Sequence, residues 1–192
     1  MGEPGPAGGH VIRMNATASS LRTLPDYLVP GLDLVLVGAN PGITSAEQGH
    51  YYANPRNPFW KLLHQAGLVD EALGPDDDAR VNDFGIGLTD LVKRPTSGIN
   101  DLSTSERRAG APVLLEKLEA CQSRVVCFNG KEVFRGYSGQ PCQLGEQRER
   151  IAGARVFVVP STSPRNARWS FDEKLDYFRQ LRRLVDRERR RA

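Results

Sequence analysis

The chain has 192 residues, 39% of them hydrophobic and 26% charged, with a net charge of +3. That length fits one domain with a single full core. No apolar run approaches the ~20 residues of a membrane span, and no charged-then-apolar leader opens the sequence, so the expectation is an intracellular protein of the cytoplasm or nucleoid.

Cys121, Cys127 and Cys142 are odd in number and form no CxxC pair, which argues against a disulfide framework and against a zinc or iron–sulfur site. Cys127 lies in an apolar run and reads as a small core residue. His10, His50 and His64 lack metal-ligand spacing, so no metal is expected. Arg outnumbers Lys 21 to 5; the planar guanidinium suits phosphate contacts, but composition alone does not establish nucleic-acid binding.

Residues 1–23 are rich in Gly, Pro, Ser and Thr without periodicity and read as a disordered arm. Residues 24–187 form the expected domain, and 188–192 a basic tail, more simply a solvated charge run than a phosphate contact. Leu32 to Val37 predicts a central strand. Asn57 and Pro58 open a helix as N-cap and first helical residue, Phe59, Trp60, Leu62, Leu63 and Ala66 give it an apolar face, and Gly67 ends it. Residues 73–83 are acidic and loop-like, and a second strand covers about 84–89.

Ser103-Thr104-Ser105-Glu106 has the capping-box pattern and starts a helix reaching about Ala120, which Pro112 should kink or divide. Arg124 to Phe128 predicts a third strand and Lys131 to Arg135 a short helix. Leu144–Ile151 and Arg155–Val159 flank Ala152-Gly153-Ala154 as a hairpin. A last helix runs from about Phe171 to Arg187, with Leu175, Phe178, Leu181, Leu184 and Val185 at helical spacing. Alternating strands and helices predict an α/β fold: one three-layer α/β/α domain with a mainly parallel sheet of about four to five strands.

Three short loops follow strand-like runs: Gly38-Ala39-Asn40-Pro41-Gly42, Thr89-Asp90-Leu91-Val92-Lys93-Arg94-Pro95 and Pro160-Ser161-Thr162-Ser163-Pro164-Arg165-Asn166. Ligands of open parallel sheets bind outside the carboxyl ends of the strands, so these loops should meet at one edge. Asn40 can hydrogen-bond a water through its amide, although an isolated Asn-Pro-Gly is more simply an Asx turn or helix cap. Asp90 can orient or activate water, or simply cap a turn. Tyr51 or Tyr52 can stack on a planar ligand, or pack as an ordinary half-buried ring. Ser161 to Ser163 offer hydroxyls without triad spacing. No Gly-Lys-Ser/Thr follows the first glycine loop, which excludes a P-loop.

Taken together, Leu24-Pro25-Asp26-Tyr27-Leu28, Gly38-Ala39-Asn40-Pro41-Gly42, Gly49-His50-Tyr51-Tyr52, Asn57-Pro58-Phe59-Trp60-Lys61, the Thr89 to Pro95 run and the Ser161 to Asn166 run resemble the mismatch-specific uracil- and thymine-DNA glycosylases. The resemblance runs from about Leu24 to Val185. It implies a monomeric α/β/α enzyme of base-excision repair, without cofactor or metal, whose partner is double-stranded DNA carrying a U·G or related mismatch. It further implies that Asn40 holds the attacking water, that Tyr52 stacks on a flipped base, and that Gly38, Ala39, Gly42 and Ser161 contact that base. Pro164, Arg165 and Asn166 would fill the vacated stack. Two positions depart from the family pattern. Ala39 stands where Ile is usual, and Asp90 stands where Lys or Asn is common, which adds a carboxylate to the catalytic set. A glycosylase preferring another deaminated base, such as hypoxanthine, and a non-catalytic nucleic-acid-binding domain remain the alternatives.

Overall fold

The computed structural model describes residues 22–191. The expected disordered arm therefore lies outside the described residues except for its last two. Five strands, β1 (Leu34–Gly38), β2 (Ile86–Asp90), β3 (Val125–Asn129), β4 (Gly145–Ile151) and β5 (Ala154–Val159), form one sheet in the order β2-β1-β3-β5-β4. All neighbours are parallel except β4 and β5. Five α-helices accompany them: α1 (Ile43–Gln48), α2 (Phe59–Gln65), α3 (Thr104–Cys121), α4 (Lys131–Ser138) and α5 (Phe171–Arg189).

The parallel strands β1, β2 and β3 are buried throughout and β5 at every residue but Arg155, as near-continuous apolar runs predict for a sheet covered on both faces. Alternate residues serve two cores. Leu34, Leu36, Val125, Cys127, Phe157 and Val159 pack with Phe59, Leu63, Phe178 and Leu181 of α2 and α5. Val35, Val37, Val126, Phe128, Val156 and Val158 pack with Leu114, Leu118, Val133 and Phe134 of α3 and α4. Each fully buried Leu or Phe of this kind contributes ~1.5–3 kcal/mol relative to exposure. The predicted three-layer domain is the observed one.

Local signals mostly hold. Asn57 Oδ1 accepts the Phe59 N–H at 3.1 Å and caps α2, with Pro58 just outside the helix instead of inside it. Ser103 and Glu106 make the reciprocal capping box, and Ser170 with Glu173 makes a second at the start of α5. Between β4 and β5 both Ala152 and Gly153 have positive φ (50° and 81°), the geometry of a tight two-residue hairpin turn. Cys127 is fully buried in the sheet, and all three cysteines are free thiols.

Several boundaries differ. Residues 73–83 are not plain loop: Pro75–Phe84 winds as a 3-10 segment, opened by Gly74 and tied by the Asp77 carboxylate accepting the Gly74 N–H. The second strand begins two residues later than expected and reaches Asp90 itself. Pro112 does not divide α3, which runs continuously. Pro112 and Arg108 are both exposed, so the carbonyl left without a partner faces water and the lost bond is cheap. Finally, α5 extends to Arg189, and the basic end is held on the body. Arg189 pairs with Asp33 at 2.9 Å and Arg187 with Glu146 at 2.8 Å. A solvated tail from residue 188 is thus too long by at least Arg189.

Candidate active site

Gly38, Asp90, Asn129 and Val159 end the four parallel strands on one side of the sheet, and Gly38 lies directly opposite Asp90 in register. The loops that follow enclose a cleft of about 710 Å³. Every residue the sequence singled out lines it: Gly38, Ala39, Asn40, Gly42, Tyr52, Asp90, Ser161, Pro164, Arg165 and Asn166. Residues up to 128 positions apart meet because parallel strands all deliver their carboxyl ends to the same edge.

The loop after β1 is zipped onto the loop after β2. The carbonyls of Gly38, Ala39 and Pro41 accept from the N–H groups of Leu91, Val92 and Thr96 at 2.9–3.1 Å. Asn40 reinforces this seam, its Nδ2 donating to Arg94 O and Thr96 Oγ1, each at 2.8 Å. The Thr96 hydroxyl in turn donates to Gly98 O at 2.8 Å. Arg94 is fixed from the other side by Glu106, at 2.6 Å, and by Asp101 O. The Arg94 guanidinium and the Ser103 cap hold the Glu106 carboxyl down to about 2. The amide of Asn40 is therefore rigidly oriented, and among the described residues nothing donates to its Oδ1.

Asp90 is the opposite case. It is buried to 4% exposure, and its Oδ2 has no hydrogen-bond partner. Burial raises its carboxyl to about 7, with the charges of Lys93 and Lys117 pulling down and that of Asp26 pushing up. Gly38 makes room for it: a Cβ there would stand 2.4 Å from Asp90 Oδ1 and 3.3 Å from the Tyr52 hydroxyl. That hydroxyl is likewise buried without a partner. Two orphaned polar groups thus converge on one glycine at the cleft floor. Orphans of this kind are costly and need an explanation, of which a ligand is one.

The Tyr52 ring lies on Phe59, centroids 3.6 Å apart and planes 21° from parallel. Its φ of 53° is left-handed, an unusual backbone for tyrosine, so the surrounding structure imposes the ring position. Ser161 Oγ accepts the Ser163 N–H at 3.3 Å, and a Cβ added at Gly130, whose φ is 121°, would stand 3.1 Å from the Ser161 Cβ. Pro164, Arg165 and Asn166 form a turn closed by Asn166 N–H to Ser163 O at 2.9 Å. Arg165 is exposed at its tip and reaches across to Gly98.

Four contributors were not visible in the sequence. Asn129 closes the floor, exchanging hydrogen bonds with Thr162 (Nδ2 to Oγ1 2.9 Å, Thr162 N–H to Oδ1 3.0 Å). It ends β3 as Asp90 ends β2, and that strand-end position was its available signal. Arg56, Arg168 and Trp169 line the mouth, where Arg168 lies 5.9 Å from the Trp169 ring. Among the described residues there is no cluster of three metal-ligating side chains, and no helix is long and apolar enough to cross a membrane.

The chain is thus a five-stranded, mostly parallel α/β/α domain with its cleft at the strand ends and no nucleotide-binding glycine motif. The sequence profile of the uracil DNA glycosylase superfamily matches residues 25–184, and the chain belongs to that superfamily. Its fold is similar to the solution NMR structure of a candidate uracil DNA glycosylase from Methanosarcina acetivorans, with a TM-score of 0.58 and 25% identity over 84% of this chain and 98% of that one. The superfamily supports a uracil-DNA-glycosylase type of function, acting on DNA.

Proposed function

We propose that this protein is a monofunctional glycosylase that excises uracil from mismatched duplex DNA, U·G above all, and leaves an abasic site. The observation that carries the reading is that the buried Asp90 carboxyl, whose Oδ2 has no partner, and the unpartnered Tyr52 hydroxyl both come up against Gly38 on the floor of the cleft.

A base inside a duplex is out of reach, so it is extruded, at a cost of a few kcal/mol that is least at a mismatch. The extruded ring lies over Tyr52, whose other face is already stacked on Phe59. Asn129 and the N–H groups of the Ala39 to Gly42 loop meet the base edge. The N-glycosidic bond breaks with its electron pair leaving on the base, and preorganised donors stabilise that anion. Water then bonds to the sugar carbon. Asn40 Oδ1, fixed by the amide's bonds to Arg94 and Thr96, orients this water, and ionised Asp90 takes its proton. Pro164, Arg165 and Asn166 fill the gap in the stack, with Arg56, Lys131 and Arg168 beside the phosphates.

The cleft volume also admits a deaminated purine, which keeps hypoxanthine as a second substrate reading. Single-turnover assays on duplexes carrying U·G, T·G, U·A and hypoxanthine separate these cases. Abasic sites formed from U·G in the presence of EDTA are expected. A borohydride-trapped protein–DNA adduct would overturn the monofunctional mechanism, and absence of cleavage on all four would leave a binding domain only.

A further inference from the structure

At the end of β2, tied to Thr89 next to Asp90 in the chain, stands a cluster of charges that is not part of the cleft lining. Asp26 comes from the segment before β1, Lys93 from the loop after β2, and Lys117 from α3. Asp26 Oδ1 accepts from Lys93 Nζ and, at 2.7 Å, from the Thr89 hydroxyl, while its Oδ2 pairs with Lys117 Nζ at 2.7 Å. Lys93 completes its donors on Leu24 O at 3.1 Å and on the Tyr51 hydroxyl at 3.3 Å. That hydroxyl donates onward to Pro25 O at 2.9 Å. The three side chains are only 25–30% exposed.

Two ammonium groups against one carboxylate leave one surplus positive charge. The surplus is neutralised only when Asp90 is ionised. The titratable and charged groups around Asp90 are Tyr51 and Tyr52 from the loop joining α1 to α2, Asp26, Lys93 and Lys117. The tyrosines are held neutral by burial, so the net sign at Asp90 is set by the other three. Asp26 would itself be raised by burial, but hydrogen bonds from Lys117, Lys93 and Thr89 outweigh this and hold it below its ordinary range. It is therefore a fixed negative charge.

We propose that Asp26, Lys93 and Lys117 are positioning residues for the reaction: a three-charge clamp whose surplus positive charge favours the ionised form of the Asp90 carboxylate beneath the base against the effect of burial. The inference rests on Asp90 being the proton acceptor proposed above. A low-dielectric site strengthens such fields, and a carboxylate deprived of compensating charge reverts to its neutral form. Removing either lysine and removing Asp26 must then act with opposite signs, which no loss of packing can imitate.

The experiment is the pH dependence, between pH 5 and 9, of single-turnover cleavage of a U·G duplex by the full chain, with melting temperatures recorded alongside. Lys93→Met and Lys117→Met should move the acidic limb to higher pH by about one unit, so that cleavage at pH 6 falls roughly tenfold and recovers by pH 9. Asp26→Asn should move the limb to lower pH. Asp90→Asn should abolish it. If Lys93→Met fails to fold, Lys117→Met and Asp26→Asn still give the two signs. A limb that stays in place, or shifts the same way, in both of these while Asp90→Asn remains flat overturns the clamp and leaves the role of Asp90 standing. A limb that survives in Asp90→Asn overturns both.

Discussion

The loop after β1 and the end of β2 lie side by side at the cleft floor and are built in opposite ways. Asn40 is engaged through its amide with Arg94 and Thr96, and the neighbouring carbonyls are zipped to the facing loop. Asp90, one strand away, keeps a buried oxygen with no partner and a carboxyl raised to about 7. The first arrangement stabilises the fold while presenting a free carbonyl oxygen; the second costs stability and keeps a group ready to accept a proton. The two side chains both line the cleft, yet only one of them is in conflict with its surroundings. That conflict is the more informative of the two signals, because a satisfied side chain is explained by structure alone.

Asn40→Ala should break the satisfied side of the comparison. Cleavage of U·G in a single turnover should fall ~10²–10⁴-fold. The melting temperature should fall as well, since two hydrogen bonds worth ~0.5–1.5 kcal/mol each are lost. Wild-type cleavage by a less stable protein would reduce Asn40 to a seam between loops.

Asp90→Asn should lower the rate by about tenfold or more above pH 7, on the scale of general base catalysis, and narrow the range of bases removed. Its stability should move the other way. Between about pH 4 and 7 the folded protein holds a proton at Asp90 that the unfolded chain has released, so stability falls as pH rises through that window and is level above it. The variant should therefore be more stable than the parent at pH 8, by on the order of 1 kcal/mol or more, with the difference vanishing near pH 4. Denaturant melts at the two pH values read this directly, and equal destabilisation at both would mark Asp90 as an ordinary turn residue.

Gly38→Ala sharpens the comparison without replacing any titrating group. Its Cβ would collide with Asp90 Oδ1, so the carboxylate is displaced. Activity should drop to near that of Asp90→Asn while affinity for DNA, carried mainly by phosphate contacts, changes little. Unchanged cleavage in a folded variant would show that the carboxylate position is not used.

The smallest effect belongs to the exposed turn across the cleft. Arg165→Ala should weaken binding to mismatched or abasic duplex by a few-fold and spare cleavage of single-stranded uracil, because its proposed work is done only inside a stack. Equal losses on both substrates, measured by titration and by rate, would make it a plain phosphate contact.

Much of this molecule was legible from local chemistry. Apolar runs marked the parallel strands, Ser103 with Glu106 marked the start of α3, and Ala152-Gly153 marked the hairpin turn, because each depends on residues within a few positions of one another. The shared edge followed from the fold class, and so the list of cleft residues did too. Pro112 misled, since its effect depends on which side of α3 it occupies, and that is decided by packing. The 3-10 segment at 75–84 was missed because its period is short and its apolar face narrow.

Tertiary structure alone decided what each cleft residue is bonded to. Asn40 reaches partners 54 and 56 positions away, and Asn129 is tied to Thr162 across 33. Asp26 is held at the end of β2 only because Thr89, 63 positions on, and the two lysines bind it there. A sequence states which groups can donate, accept or titrate. Whether a buried group finds a partner depends on long-range geometry, and at Asp90 it does not. The carboxylate was visible in the chain; its isolation, and the charges arranged behind it, exist only in the fold.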